Sequence, residues 1–258
     1  MQVTGHTVVV TGGASGIGAA LARRLAQAGA AHVVVADRDL AGATAVADQI
    51  PVAVARHVDV GIEASIVELI EGTERDQGPI ELFCSNAGIL AVGGAEVPDE
   101  AWRRIMDVNV MAHVWVARHL VGPMVARGGG TIAITASAAG LLTQIGSAPY
   151  SVTKHAALAF AEWLAITYGD AGLRVSALCP QAVATQMTAG IDGGGVAGVD
   201  GMLSADAVAD AAWAGLAEDR FLILPHPQVA DYARRRAEDH DRWIRGMQRL
   251  QSRFGDLT

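Results

Sequence analysis

Short runs of β-branched apolar residues alternate with longer segments of helical periodicity along most of this chain. Thr7–Thr11 reads TVVVT and His32–Ala36 reads HVVVA, and between them Ile17, Leu21 and Leu25 recur at helical spacing. Near-continuous apolar strands are typical of a parallel sheet that is buried on both faces, because the connecting helices cover it. This alternation therefore predicts an α/β fold.

The same alternation predicts seven strands separated by helices. The predicted strands are Thr7–Thr11, His32–Ala36, Val52–Val58, Ile80–Ser85, Thr131–Thr135, Arg174–Cys179 and Phe221–Leu224. The predicted helices run from Ile17 to near Gly29 and over Leu40–Gln49, Glu63–Arg75, Asp99–Ala126, Pro149–Tyr168 and Ala205–Ala217. No Pro- or Ser-rich linker divides the 258 residues. We therefore expect a single domain, residues 1–258, built on a doubly wound, seven-stranded parallel sheet.

Two segments lie outside this alternation. The first, residues 185–203, contains six glycines, and so many glycines predict either a disordered loop or a mobile lid. The second is the tail, about residues 225–258. It carries an apolar stripe with arginines between its members, Trp243, Met247, Leu250 and Phe254. The stripe predicts an amphipathic helix that packs on the body or on a partner subunit.

Composition excludes several classes of protein. A chain that is 51% hydrophobic and 18% charged is not disordered. Its formal net charge of -8 is poorly suited to nucleic acid or to an anionic membrane surface, so we expect neither as a partner. The chain shows neither a signal-peptide pattern nor an uncharged apolar stretch of roughly 18 residues, which predicts a cytoplasmic protein. Cys84 and Cys179 lie in apolar runs and are predicted to be buried, unpaired thiols.

A glycine-rich segment lies directly between the first strand and the first helix. Thr11–Gly18 reads TGGASGIG. Gly12, Gly16 and Gly18 allow the backbone to turn tightly and approach a phosphate, and the free N–H groups of a helix start favour negative charge. The position of this segment predicts the pyrophosphate site of a Rossmann domain, the doubly wound fold that binds dinucleotides.

Asp37 ends the second strand, 19 residues after Gly18. At about this offset a carboxylate accepts hydrogen bonds from the adenosine ribose and repels a 2′-phosphate. Ser15 adds no positive charge, so the sequence favours NAD over NADP as the cofactor. Arg38 keeps NADP open as the alternative, because it could contact a 2′-phosphate. No metal site is predicted.

Tyr150 and Lys154 are four residues apart in the helix after the fifth strand, so they project from one helix face. A neighbouring ammonium favours the phenolate, and we expect it to lower the tyrosine pKa from its usual value near 10. The phenol could then accept and donate protons. Ser137, 13 residues earlier, can hold a carbonyl oxygen beside it. The Tyr-Lys pair alone is common on helix surfaces, and only the preceding loop and serine favour catalysis.

Together these motifs resemble the short-chain dehydrogenase/reductase family over roughly residues 5–225. The matching residues are the TGGASGIG loop, Asp59-Val60, Asn86-Ala87-Gly88, Asn109, Ser137, Tyr150, Lys154 and Pro180 through Thr185. The resemblance implies that Tyr150 is the general acid/base and that Ser137 polarises the substrate oxygen. It implies that Lys154 binds the nicotinamide ribose and lowers the Tyr150 pKa, and that Asn109 holds a water linking Lys154 to solvent.

The resemblance extends the predicted cofactor site beyond the glycine loop and Asp37. It implies contacts from Asp59 and Val60 to the adenine, and from Val183 and Thr185 to the carboxamide and phosphates. The predicted cofactor-binding residues are Gly12, Ser15, Gly16, Ile17, Gly18, Asp37, Asp59, Val60, Asn86, Ala87, Gly88, Tyr150, Lys154, Pro180, Val183 and Thr185. The family also implies a homotetramer, with a homodimer as the alternative.

The predicted substrate pocket comprises Leu141, Gln144, Gln181 and Met187. Gln181 departs from the family pattern, which usually has Gly after the proline, and it either reaches into the pocket or faces solvent. Residues 138–148 carry no charge and residues 185–203 carry only two aspartates. We therefore expect an uncharged, largely apolar secondary alcohol or ketone. Should the tail arginines fold over the pocket mouth, an anionic substrate is the alternative.

The predicted function is hydride transfer between NAD and that alcohol or ketone, with oxidation as the working direction. Two alternatives keep the fold: a catalytically silent NAD(P)-binding regulatory protein, and an NADP-dependent ketone reductase. A sugar-nucleotide epimerase, which also uses Tyr-x-x-x-Lys, is disfavoured because the spacing of Gly12, Gly16 and Gly18 differs from its pattern.

Overall fold

The computed structural model describes residues 3–190 and 192–254. Within these residues the strands β1–β9 span Thr7–Thr11, His32–Asp37, Ala53–His57, Ile80–Ser85, Gly130–Thr135, Leu173–Leu178, Val183–Ala184, Leu203–Ser204 and Leu222–Ile223. The helices α1–α10 span Gly16–Gln27, Leu40–Ala47, Glu63–Gln77, Asp99–Met106, Ala112–Ala126, Ala139–Leu142, Ala148–Tyr168, Ala205–Ala217, Gln228–Glu238 and His240–Gln251.

Seven of the strands form one parallel sheet in the order β3-β2-β1-β4-β5-β6-β9. This confirms the predicted α/β fold with a seven-stranded parallel sheet. The strand order reverses between β1 and β4, and in doubly wound sheets the crevice at such a switch point, beside the carboxyl ends of the strands, binds ligands. The glycine-rich segment after β1 lies at this crevice.

Helices cover both faces of the sheet, so the core has two layers. Successive residues of β1 alternate between them: Val9 packs in one cluster with Phe83, while Val8 and Val10 pack in the other with Leu25. Each of these side chains is completely buried. Because neighbouring residues of a strand point to opposite faces, an all-apolar strand is the sequence expected for such a sheet.

The helix predicted over Asp99–Ala126 is interrupted. A π-helical turn, Asp107–Met111, separates α4 from α5. Asn109 lies inside this turn and is completely buried. The prediction of one continuous helix was therefore wrong at this point. The sequence does not reveal the π-helical turn, because a single wide turn leaves the spacing of the apolar residues nearly unchanged. Such turns occur mostly where a helix has been adapted to a function.

Among the described residues of the segment 185–203, Gln186–Thr188 forms a 3-10 turn, and Asp192–Gly198 contains further 3-10 turns that are interrupted by non-helical backbone angles at Gly193, Gly194 and Gly195. A two-stranded sheet closes the base of this segment, because β7 pairs with β8 through Val183 and Leu203. The described part of residues 185–203 is thus tied to the body at both ends.

The seventh strand of the main sheet is shorter than predicted and spans only Leu222–Ile223.

The tail forms two helices, α9 and α10, where one amphipathic helix was predicted. Val229 is completely buried, and Tyr232 and Trp243 pack beside it against Ala138 and Leu142. The Asp239 carboxylate caps α10 by accepting a hydrogen bond from the Arg242 N–H at 2.8 Å. Of the two predicted arrangements, packing on the body is therefore confirmed.

Both cysteines are unpaired and buried, as predicted. Burial raises the pKa of the Cys84 and Cys179 thiols to about 12, so neither is suited to act as a nucleophile.

Of the helices described by the structure, not one combines the length and apolarity that crossing a bilayer requires.

Candidate active site

The glycine-rich turn is packed too closely to accept side chains. A Cβ on Gly18 would lie 2.0 Å from the Gly12 carbonyl oxygen, and a Cβ on Gly12 would lie 2.9 Å from Cα of Ala87. Gly12 and Gly16 have φ values of 67° and 52°, which favour glycine. The turn leads into α1, whose N-cap residue Ser15 makes no side-chain capping bond. The first N–H groups of α1 are thus left for a ligand, as a pyrophosphate site requires.

Hydrogen bonds join the carboxyl ends of β1, β4 and β5. Thr11 Oγ1 accepts from the N–H groups of Asn86 and Ala87 at 3.0 and 3.2 Å. Asn86 Nδ2 donates to the Thr11 carbonyl at 3.0 Å, and Asn86 Oδ1 accepts from Thr135 Oγ1 at 2.9 Å. These bonds fix the Asn86–Gly88 turn beneath the glycine loop. Thr135 was missed in the sequence and Thr11 was named only as part of the glycine-rich segment, because a threonine at a strand end carries no distinctive signal.

All sixteen predicted cofactor-binding residues line one cleft of about 670 Å³ at this edge of the sheet. The glycine turn forms a cradle that Cβ atoms would fill, so the cleft fits a dinucleotide. Sequence reasoning missed some of its lining, notably Arg104. The guanidinium of Arg104 contacts both Asp59 oxygens, at 3.0 and 3.2 Å.

Asp37 is held by two backbone hydrogen bonds. Its Oδ2 accepts from the Ala14 N–H at 3.0 Å and its Oδ1 from the Asp39 N–H at 2.9 Å. The first of these bonds ties the carboxylate to the glycine loop. Arg38 lines the same cleft. Asp37, which is predicted to bind the ribose, and Arg38, which could contact a 2′-phosphate, therefore lie side by side in the cleft.

Tyr150 and Lys154 project from the first turns of α7, as predicted. Ser147 caps this helix by accepting a hydrogen bond from the Tyr150 N–H at 3.2 Å. Ser137 follows β5 and is buried; its Oγ accepts from the Ala139 N–H at 3.0 Å. Ser137 and Tyr150 line both the cofactor cleft and the cavity beside it.

Lys154 is buried, and its Nζ donates to the Thr135 carbonyl at 2.9 Å. The ammonium lies 5.6 Å from the centroid of the Tyr150 ring. Burial lowers the Lys154 pKa to about 8. Burial also raises the pKa of Tyr150, although a hydrogen bond with Ser137 opposes this effect. The expected lowering of the Tyr150 pKa is therefore not found, because desolvation outweighs the hydrogen bond with Ser137.

Asn109 is bonded through its side chain rather than exposed to the cleft. Its Oδ1 accepts from the Ile89 N–H at 2.9 Å, and its Nδ2 donates to the Ile89 carbonyl at 2.9 Å and to Thr153 Oγ1 at 3.2 Å. It thereby joins the chain after Gly88 to α7. The structure gives Asn109 a positioning role, and its predicted role in holding a water stays a prediction.

His113, one turn after Asn109, was missed by sequence reasoning. It is buried, and its Nδ1 lies 2.7 Å from Ser85 Oγ. Its Nε2 has no hydrogen-bond partner among the described residues. Burial, assisted by the charge of Lys154, lowers the His113 pKa to about 3. A neutral imidazole is therefore part of the packing behind the reacting residues.

A second cavity of about 950 Å³ opens beside Tyr150. Gln144, Gln181 and Met187 line it, as predicted. Leu141 does not: its side chain packs into the core, and Leu142 lines the cavity instead. Adjacent residues of a helix face directions about 100° apart, so the prediction on Leu141 was wrong by one position in α6.

Gln181 lies where the cleft and the cavity meet. Its backbone N–H donates to Nδ1 of the buried His226 at 3.1 Å, and its side-chain oxygen is buried without a hydrogen-bond partner among the described residues. Of the two predicted orientations, the one that borders the pocket is found. His226 was missed because it lies 45 residues further along the chain.

The tail supplies a large part of the cavity lining. Its apolar contributors are Tyr232, Trp243, Met247 and Leu250, and its charged ones are Arg235, Glu238, Asp239, Arg242, Arg249 and Arg253. Phe254, the last member of the predicted stripe, lies outside the lining. An anionic substrate is the alternative expected from the sequence in case the tail arginines lie at the pocket. The structure places arginines of the tail there.

Comparison with known proteins shows the family to which the chain belongs. The family model for short chain dehydrogenases matches residues 6–193. The 1-deoxy-11-beta-hydroxypentalenate dehydrogenase of Streptomyces exfoliatus is 40% identical over 236 residues, covering 87% of this chain and 84% of the relative.

Solved structures with similar folds include complexes with nucleotide cofactors. A short chain dehydrogenase/reductase from Burkholderia phymatum in complex with NAD superposes with a TM-score of 0.85 at 28% identity, covering 93% of this chain and 96% of the other. A short-chain dehydrogenase from Sphingobium yanoikuyae in complex with NADPH superposes with a TM-score of 0.78 at 29% identity, covering 94% and 95%. The chain belongs to the short-chain dehydrogenase/reductase family and is an oxidoreductase of that family.

The contact between Gly18 and Gly12 yields a first prediction. In Gly18→Ala the new Cβ would meet the Gly12 carbonyl oxygen at 2.0 Å, so the turn must open. We expect the Kd for the dinucleotide to rise at least tenfold, measured by calorimetry with NAD. The matched control is Gly122→Ala, where a Cβ meets nothing within 4 Å. Equal affinities in the two variants would contradict the close packing of the turn.

A second prediction concerns acid stability. Because the His113 pKa is about 3 in the folded protein and near 6.5 when unfolded, the unfolded state takes up this proton first. Stability from neutral His113 is thus complete above pH 6.5 and is lost as the pH falls toward 3. The free energy of unfolding, from urea titrations, should fall less steeply over this range in His113→Leu, by up to about 1.4 kcal/mol per pH unit. Parallel curves for wild type and variant would refute this; His57→Leu, at an exposed position, is the control.

Proposed function

We propose that this protein is an NAD-dependent dehydrogenase that oxidises a secondary alcohol on a bulky, largely apolar molecule. One observation carries the proposal: Ser137 and Tyr150 lie on the shared wall of the cofactor cleft and the 950 Å³ cavity. A carbinol in the cavity can therefore meet a hydroxyl donor, a proton acceptor and the cofactor at one place. Pockets for drug-sized ligands run to roughly 1,000 Å³, so a polycyclic skeleton fits.

The proposed reaction is reversible. Ser137 holds the substrate oxygen while the Tyr150 phenolate takes the proton of the alcohol. When bound, NAD supplies the acceptor for the hydride that leaves the carbinol carbon. Lys154, held by the Thr135 carbonyl, supplies positive charge that stabilises the phenolate. Burial raises the pKa of Tyr150, so in oxidation the charge of Lys154 acts against burial, and in ketone reduction the phenol that burial favours is the form that donates.

Asp37 supports NAD rather than NADP as the preferred cofactor. Its carboxylate is fixed in the cleft by two backbone N–H groups, and a fixed negative charge repels a 2′-phosphate. The solved relatives include complexes with NAD and with NADPH, so the choice depends on residues of this chain. Arg38 is the residue that favours the NADP-dependent alternative.

The size and lining of the cavity support a large apolar substrate. The relative from Streptomyces exfoliatus is named for oxidising a hydroxypentalenate, and we propose a hydroxylated substrate for this chain as well. The lining contributed by Ala138, Leu142 and Gln144 carries no charge, which agrees with the expectation of an apolar substrate. All charges in the lining come from the tail.

We propose a homotetramer, or a homodimer, as the assembly. Helix α7 leaves two large apolar side chains exposed, Trp163 at 52% and Ile166 at 79%. An exposed apolar face of this kind favours contact with another subunit.

The third prediction tests the proton carrier. Tyr150→Phe removes the phenolic oxygen and keeps the ring, so alcohol oxidation should fall by about 10²- to 10⁴-fold while the Kd for NAD changes little. Tyr168→Phe, the same change at the far end of α7, should leave turnover unchanged. Stopped-flow measurement of NADH formation distinguishes the variants. Undiminished turnover in Tyr150→Phe would refute the mechanism. Tight binding of NAD by the wild type without oxidation of any alcohol in a panel would favour the regulatory alternative.

The fourth prediction tests the cofactor. We expect the wild type to prefer NAD, and Asp37→Ser should raise the ratio of kcat/KM for NADP to that for NAD at least tenfold, because the repelling charge is gone. Asp39→Ser is the matched control, since Asp39 lies outside the cleft and serine can still cap α2. A wild type that prefers NADP would refute the assignment of NAD.

A further inference from the structure

The wall of the cavity that α10 supplies is both apolar and cationic. Trp243, Met247 and Leu250 lie three or four positions apart and form one face of the helix. Arg242 and Arg249 flank this face and are separated by seven residues, two turns of the helix, so they project from the same side. The wall thus combines an apolar surface with two guanidinium groups.

Within the described part of the chain, the arginines of the cavity are not consumed by ion pairs, although Arg235 lies over the ring of Tyr232. The lining of the cavity holds four arginines and two carboxylates, a net charge of +2, in a chain whose formal net charge is -8. Among the described residues, Arg235, Arg242, Arg249 and Arg253 form no ion pair, although Arg234, which lies outside the lining, pairs with Asp231. Asp239 is engaged as the cap of α10. The cavity lining is therefore positively charged, although the chain as a whole is negatively charged.

The chemistry of arginine indicates what this wall binds. A guanidinium is weakly hydrated and presents its donors in a fork that matches a carboxylate. An uncharged substrate would gain nothing from such groups, and a small hydrophilic anion would not need the surrounding Trp243, Met247 and Leu250. A molecule with an apolar skeleton and one carboxylate matches both parts of the wall.

We propose that the substrate carries a carboxylate on its apolar skeleton and that Arg242 and Arg249 bind this carboxylate while the carbinol lies at Tyr150. The inference rests on the proposed function and replaces the uncharged substrate expected from residues 138–148 and 185–203. Those two segments line other parts of the cavity. The tail, which the sequence could not place, supplies the charges.

The test compares two substrates that differ only in charge: a hydroxydecalin carboxylate and its methyl ester. In the wild type the KM for the acid should be lower than for the ester, and it should rise with salt concentration while the KM for the ester does not. In Arg242→Gln/Arg249→Gln the KM for the acid should rise roughly 3- to 30-fold, as expected for partly exposed ion pairs, and kcat should stay the same. The KM for the ester should not change.

The matched control is Arg245→Gln, on the same helix but outside the cavity lining. It removes one charge from α10, as Arg242→Gln or Arg249→Gln does when made alone, and should leave both KM values unchanged. Equal KM values for acid and ester in the wild type would overturn the inference. An equal loss in Arg245→Gln would also overturn it, because a general charge effect would then explain the data.

A binding measurement separates this inference from the proposed function. Decalin carboxylate, which lacks the hydroxyl, and its methyl ester are titrated while the fluorescence of Trp243 and the other tryptophans is followed. Arginine-dependent binding of the acid, without oxidation of any alcohol, would retain the carboxylate site and refute the dehydrogenase. Oxidation of the ester without preference for the acid in binding or in KM would retain the dehydrogenase and refute the site.

Discussion

The hydrogen bonds of Thr135 connect the two ends of this active site. Its hydroxyl donates to Asn86, which also bonds the Thr11 carbonyl and so fixes the turn against which the glycine loop packs. Its carbonyl accepts from Lys154 Nζ. The cradle for the pyrophosphate and the amine beside the reacting phenol are therefore positioned by one residue at the end of β5. Since parallel strands end at the same edge of the sheet, the fold itself brings these groups together.

Burial determines the protonation of the reacting groups as much as their mutual charge does. Desolvation lowers the pKa of Lys154 to about 8 and raises that of Tyr150, so each group is biased toward its neutral form. His113, with a pKa of about 3, adds no charge behind them.

The sequence predicts the sheet and the glycine turn, because these depend on local patterns: apolar strands, required glycines and helix spacing. The sixteen cofactor-binding residues named from the sequence all line the cleft, but Arg104 and Thr135, which also line it, carry no such pattern. Other features depend on contacts between distant segments. The π turn at Asn109 arises where a buried amide bonds the backbone of Ile89, which periodicity does not reveal. Leu142 rather than Leu141 reaches the cavity because of the rotation of α6, and His226 meets Gln181 only through the fold.

The residues proposed for the chemistry and those proposed for substrate selection lie in different parts of the chain. The family match covers residues 6–193, which include every predicted catalytic and cofactor-binding residue, whereas α9 and α10 follow it. The tail packs on the body through Val229 and Trp243 and presents its arginines to the cavity. Substitutions in α10 can therefore alter the charge and shape of the substrate that fits without disturbing Tyr150 or the glycine turn. In the proposed function, a hydride-transfer site that is held by the sheet thus acquires its specificity from two helices packed against its mouth.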